Sequence, residues 1–167
     1  MSTSVNVGDK SPDFTLPDQD MNKVSLSDFT GKPVALIFFP LAFSPVCTAE
    51  LSNFSAEIAR LRECGARLVA ISVDSPFTLK AFAEDHSFEF PLLSDFNKEV
   101  SKLYGIQHDD LMGLRGVAMR SVFILDSDGV VTYKWVSEDP LREPDYSEAL
   151  SKLDELAKSR APSLSAS

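Results

Sequence analysis

Cys47 follows the loop Pro40-Leu41-Ala42-Phe43-Ser44-Pro45-Val46 and opens a segment in which Leu51, Phe54, Ile58 and Leu61 recur at helical spacing. The apolar run Val34 to Phe39 precedes that loop and reads as a strand buried on both faces. The sulfur is therefore expected at the carboxyl end of a central strand and in the first turn of a helix. Open α/β sheets place their ligands there. First-turn N–H groups lack intrahelical partners and the dipole is positive at that end, so an anion is stabilised. A thiolate is such an anion, and an ionised, accessible sulfur is expected at Cys47. Position alone also fits an inert buried cysteine.

Other residue types offer less. Cys64 lies 17 residues beyond Cys47, across the helix that runs to Glu63. At the helical rise this is about 25 Å, whereas a disulfide needs Cα atoms within about 7 Å. Cys64 therefore reads as structural. Position 50 is Glu, which excludes the ordinary Cys-x-x-Cys exchange motif. His86 and His108 have no ligand spacing and read as surface residues, so no metal site is expected. Nothing in the spacing requires either histidine to reach Cys47. Gly105, Gly113 and Gly116 form neither a phosphate loop nor a dinucleotide fingerprint. Asp109-Asp110 and Glu138-Asp139 read as solvated charges.

The elements that must position Cys47 alternate. After the first strand and its helix, Gly65 stops the helix and Arg67 to Val73 reads as a second buried strand. Ser75-Pro76 opens a helix to about His86. Phe90 to Leu93 reads as a short strand and Lys98 to Tyr104 as a short helix. Ser121 to Asp126 and Val130 to Val136 flank the turn Ser127-Asp128-Gly129 as a hairpin. Asp145 to Ala157 reads as a closing helix, and the stretch before the first strand as room for a small hairpin. Alternation implies parallel pairing, and the late hairpin adds an antiparallel edge. The fold class is α/β: a mixed central sheet flanked by helices, matching a thioredoxin-like fold. One domain is expected over residues 1–160, with a flexible tail at 161–167.

Composition narrows the partners. The chain has 167 residues, 44% hydrophobic and 25% charged, which suits a soluble globular domain rather than a disordered chain. Its net charge of −9, without a concentrated basic patch, argues against nucleic acid and anionic membrane surfaces. The first residues lack the charged-then-apolar pattern of a signal peptide, and Pro33 to Phe43 is too short to span a bilayer, so the cytosol is expected.

Pro40, Ser44 and Cys47 make up Pro-x-x-x-Ser-x-x-Cys, which resembles the active-site signature of the peroxiredoxins. The resemblance runs from about Val7, in VGDKSPDFTLPDQD, to the last helix. Phe38 to Cys47 looks most like the alkyl hydroperoxide reductase E group. The resemblance implies a peroxidase whose Cys47 attacks a peroxide oxygen and becomes a sulfenic acid. Pro40 would wall the pocket, and the Ser44 hydroxyl, which both accepts and donates, would hold a peroxide oxygen. The family arginine at the start of a later strand corresponds to Arg120, with Arg115 as a rival in a loop. Glu50 would orient that arginine, and it also suits the helix dipole.

The same resemblance implies no cofactor, a hydroperoxide substrate, and an external thiol as reductant: thioredoxin, a glutaredoxin-like protein or a small thiol. Ser52 stands where some relatives carry a resolving cysteine, so a one-cysteine type is implied. A homodimer or higher homo-oligomer is implied as well. The competing class is an interaction module or holdase that uses the apolar surface around Leu41, Ala42 and Phe43.

Overall fold

The computed structural model describes residues 4–63 and 65–165. The expectation for Cys64, and that part of the expected tail beyond Ser165, lie outside the described residues. The N-terminal stretch holds a hairpin, β1 (Thr15–Pro17) antiparallel to β2 (Lys23–Ser25). There follow β3 (Val34–Phe38), α1 (Pro45–Glu63), β4 (Arg67–Ser72), α2 (Pro76–His86) and β5 (Leu92–Ser94). The chain ends with α3 (Glu99–Leu103), β6 (Arg120–Leu125), β7 (Val131–Ser137) and α4 (Tyr146–Ser165).

Five strands form the central sheet in the order β5-β4-β3-β6-β7. β3 is buried at every position, as a strand covered on both faces must be. Side chains alternate along it. Ala35, Ile37 and Phe39 join Leu51 and Phe54 of α1, Leu79 and Phe82 of α2, and Leu153 of α4 in one apolar layer. Leu36 and Phe38 join Phe14, Val100, Tyr104 and Phe123 in the other. Cys47 belongs to the first layer.

Antiparallel pairing begins one strand further in than the hairpin edge expected from sequence. β3 pairs parallel with β4, and β4 with β5, but β3 pairs antiparallel with β6. The reason lies in the chain between β5 and β6. It contains the short α3 and a loop folded on itself through Gln107–Ala118 and Leu111–Leu114 bridges, and no long crossover helix. The chain therefore stays at the end of the sheet where β5 exits, and β6 must start there and run back. Its register sets Ser121 opposite Phe38, so the start of β6 meets the end of β3.

α1 starts at Pro45, three residues before the periodic stretch. Proline suits a first helical position because its missing N–H would have no partner there. The Thr48 amide then closes the first turn on the Ser44 carbonyl at 2.9 Å. α4 continues past Ala157, the end expected from its apolar spacing, to Ser165. Both histidine expectations need correction. His108 is only 8% exposed, because its backbone pairs with Val117 and Gly116 inside the folded loop; burial holds its pKa below the usual imidazole value. His86 is half-buried, with its ring stacked on Phe88 at 5.4 Å.

Candidate active site

The antiparallel step between β3 and β6 brings Arg120 to the start of α1. Its Nη2 donates to the Cys47 sulfur at 3.3 Å and to the Pro140 carbonyl at 2.7 Å. Its Nη1 donates to Glu50 Oε1 at 2.7 Å. Glu50 lies three residues after Cys47, so the two share one face of α1. All three side chains are buried: Cys47 and Glu50 at 0% exposure and Arg120 at 1%. Arginine suits this task because its planar fork serves several acceptors at once. Arg115, the rival in sequence, is exposed in the loop.

Among the described residues, two polar atoms in this group have no hydrogen-bond partner: Arg120 Nε and Glu50 Oε2. A buried donor left open is costly unless something else uses it. The sulfur itself is fully covered, which corrects the expectation of an accessible thiol. Of the first turn of α1, Cys47 alone joins the apolar layer, whereas Pro45 is exposed and Val46 and Thr48 are half-buried.

Burial is the largest influence on Glu50 and lifts its pKa from 4.5 to about 7. Arg120 pulls it down and the nearby Glu143 charge pushes it up. On Arg120 burial acts downward, yet Glu50 and Cys47 together raise its pKa above the usual value. Pairing wins at the arginine and burial at the carboxyl, because the guanidinium is divided among three acceptors.

A carboxyl with a raised folded pKa binds its proton more tightly in the folded chain. Its contribution to stability is therefore fully present below about pH 4.5 and lost as pH rises toward 7. The shift corresponds to about 3 kcal/mol. Urea unfolding at several pH values should show this fall in the parent chain and its absence in Glu50→Gln. Equal slopes in the two proteins would contradict the assignment.

Pro40 and Ser44 lie in the loop between β3 and α1. Pro40 is buried, two residues beyond the end of β3. The Ser44 hydroxyl donates to the Leu41 carbonyl at 2.9 Å, and among the described residues only Arg120 hydrogen-bonds the sulfur. Phe43 has a φ of 68°, the left-handed region that bulky residues seldom occupy. Its ring rests on Phe82 with centroids 5.0 Å apart.

Sequence reasoning missed Pro140, which acts through a backbone carbonyl, and Glu143, which takes a hydrogen bond from Tyr146. A carbonyl carries no residue-type signal. Glu143 stands in a loop without periodicity. Among the described residues no helix is long and apolar enough to cross a membrane, and no His, Cys, Asp and Glu cluster is arranged for a metal ion.

A buried sulfur, a guanidinium donating to it and an i+3 carboxylate at the carboxyl end of a sheet define a thiol-based redox enzyme. A sequence profile described as the AhpC/TSA family matches residues 7–134. Alkyl hydroperoxide reductase E of Mycobacterium tuberculosis is 39% identical over 132 residues, covering 77% of this chain and 84% of that protein. The crystal structure of peroxidoxin BcpB from Mycobacterium tuberculosis superposes with a TM-score of 0.81, at 33% identity, over 91% of this chain and 98% of that one. A peroxiredoxin-like protein from Aquifex aeolicus gives 0.85 at 27% identity, over 92% and 89%. The chain belongs to the AhpC/TSA family, and it is a peroxiredoxin, a thiol-dependent peroxidase, with a thioredoxin-like fold.

Proposed function

We propose that this chain reduces hydrogen peroxide and organic hydroperoxides through Cys47 and is regenerated by an external thiol. The carrying observation is the 3.3 Å contact from Arg120 Nη2 to the Cys47 sulfur. A guanidinium there favours negative charge on sulfur and on the oxygen that leaves. The Cys47 thiolate attacks one peroxide oxygen, the O–O bond breaks, and the departing oxygen takes a proton to become water or an alcohol. Cys47 is left as a sulfenic acid.

Arg120 Nε, buried without a hydrogen-bond partner among the described residues, is suited to hold a peroxide oxygen. The Ser44 hydroxyl keeps acceptor capacity beyond its bond to Leu41 and serves the same oxygen. Pro40 walls the pocket, and Glu50 fixes the plane of the guanidinium. One thiol then condenses with the sulfenic acid to give a mixed disulfide and water, and a second releases Cys47. The reductants that fit are thioredoxin, a glutaredoxin-like protein or a small thiol.

A second copy of the chain is the other partner that we propose, meeting the exposed Phe43 side of the site, with the cytosol as the compartment. Mixing the reduced protein with one equivalent of hydrogen peroxide should add one oxygen to the peptide containing Cys47 within the mixing time. Slow uptake, or oxygen on another residue, would remove the basis for this reading.

A further inference from the structure

The loop that joins β3 to α1 and leads into Cys47 is tied to the sheet at one interior point. β3 and β4 run parallel with Phe38 beside Ile71, so the loops that leave their carboxyl ends lie side by side. At its start this loop is held by the Phe39 amide on the Ile71 carbonyl at 3.0 Å. At its end Ser44 bonds back to Leu41, within the loop itself. Between them the Ala42 amide donates to Asp74 Oδ2 at 2.8 Å. Asp74 is in turn braced by the sheet. The Ser72 hydroxyl donates to the same Oδ2 at 2.7 Å, and the Ser94 hydroxyl donates to the Asp74 carbonyl at 2.6 Å. Ser72 and Ser94 are both buried, at 0% and 1% exposure.

We infer that Asp74 is a positioning residue that sets the balance between the two half-reactions of Cys47. This rests on the function proposed above. Held at Ala42, the loop keeps Phe43 in its left-handed conformation and presents the first turn of α1 to Arg120, the arrangement the peroxide step needs. In this same arrangement the sulfur is at 0% exposure, and a thiol must reach that sulfur to reduce it. In the thiol step one dithiothreitol sulfur displaces water from the sulfenic acid. Its second sulfur then releases the Cys47 thiolate and leaves as a cyclic disulfide. An anchor that favours the first step must therefore oppose the second.

The test uses the full chain, hydrogen peroxide and dithiothreitol, with the two half-reactions followed separately by rapid mixing. Loss of one charge-assisted hydrogen bond corresponds to about a tenfold change in loop population. Asp74→Ala should slow oxidation about tenfold and speed reduction of the sulfenic acid by a similar factor. Asp74→Asn keeps an acceptor for the Ala42 amide and should return both rates toward the parent. Ser72→Ala loosens the brace without removing the anchor, and it should move both rates the same way by less, even if Asp74→Ala fails to fold.

Hydrogen exchange at the Ala42 amide of the reduced protein should quicken in Asp74→Ala, a readout that does not depend on peroxidase activity. Rates that move in the same direction, rates that do not move, or unchanged exchange would each overturn the inference. A parent chain that fails to react quickly with peroxide would instead overturn the role given to Cys47.

Discussion

Cys47→Ser should abolish rapid reaction with hydroperoxides, a loss on the order of 10⁴-fold or more, as when an enzyme loses its nucleophile. The serine hydroxyl is close in size to the thiol, so the packing of Leu51 and Phe54 of α1 against Phe39 should survive. Thermal unfolding should then change little while stopped-flow peroxide consumption falls to background. The geometry ties the effect to Cys47, because Arg120 donates to that sulfur while Glu50 and the Pro140 carbonyl hold its guanidinium in place. Persistence of fast peroxide consumption in Cys47→Ser would move the chemistry to another residue and break the argument.

Arg120→Met should produce two separable losses. Methionine fills much of the same volume but donates nothing. The oxidation rate should fall about 10²- to 10³-fold, the usual effect of removing a donor aimed at developing charge. Stability should fall by roughly 3–5 kcal/mol at high pH, because Glu50 would be left as a buried charge without its partner. Without the arginine, burial and Glu143 would push the Glu50 pKa higher still, so the folded chain would hold the proton across neutral pH. Stability would then be lost as pH rises through that higher value. Urea midpoints should therefore lie closer to those of the parent at about pH 5 than at about pH 9. Adding Glu50→Gln should restore the stability and leave the rate low. An Arg120→Met protein that oxidises at the parental rate would show that the guanidinium is a structural group only.

The grouping of Cys47, Glu50 and Arg120 was anticipated through the resemblance to the peroxiredoxins, and the elements that carry them could be placed because their apolar periods are plain. Cys47 and Glu50 lie three apart on one helix, and Arg120 begins a strand whose apolar run is plain in the sequence. The direction of β6 was not legible. It depends on the chain from Asp95 to Met119 remaining at one end of the sheet, which no local pattern states. The Asp74–Ala42 tie and the Pro140 carbonyl escaped for a related reason: the first joins two loops and the second joins a loop to the start of β6, and loop paths follow from the strands beside them rather than from their own spacing. The burial of the sulfur also ran against the reading, because a first-turn position says where a group sits along a helix and not what lies over it.

The single tryptophan of the chain stands on β7, where Trp135 pairs with Val122 of β6 and packs against the apolar layer that contains Cys47. Indole emission responds to the polarity and packing around it. Oxidation of the sulfur should therefore register in the emission of unlabelled protein, and a stopped-flow trace in which oxygen adds to Cys47 without an emission change would show that Trp135 does not sense it.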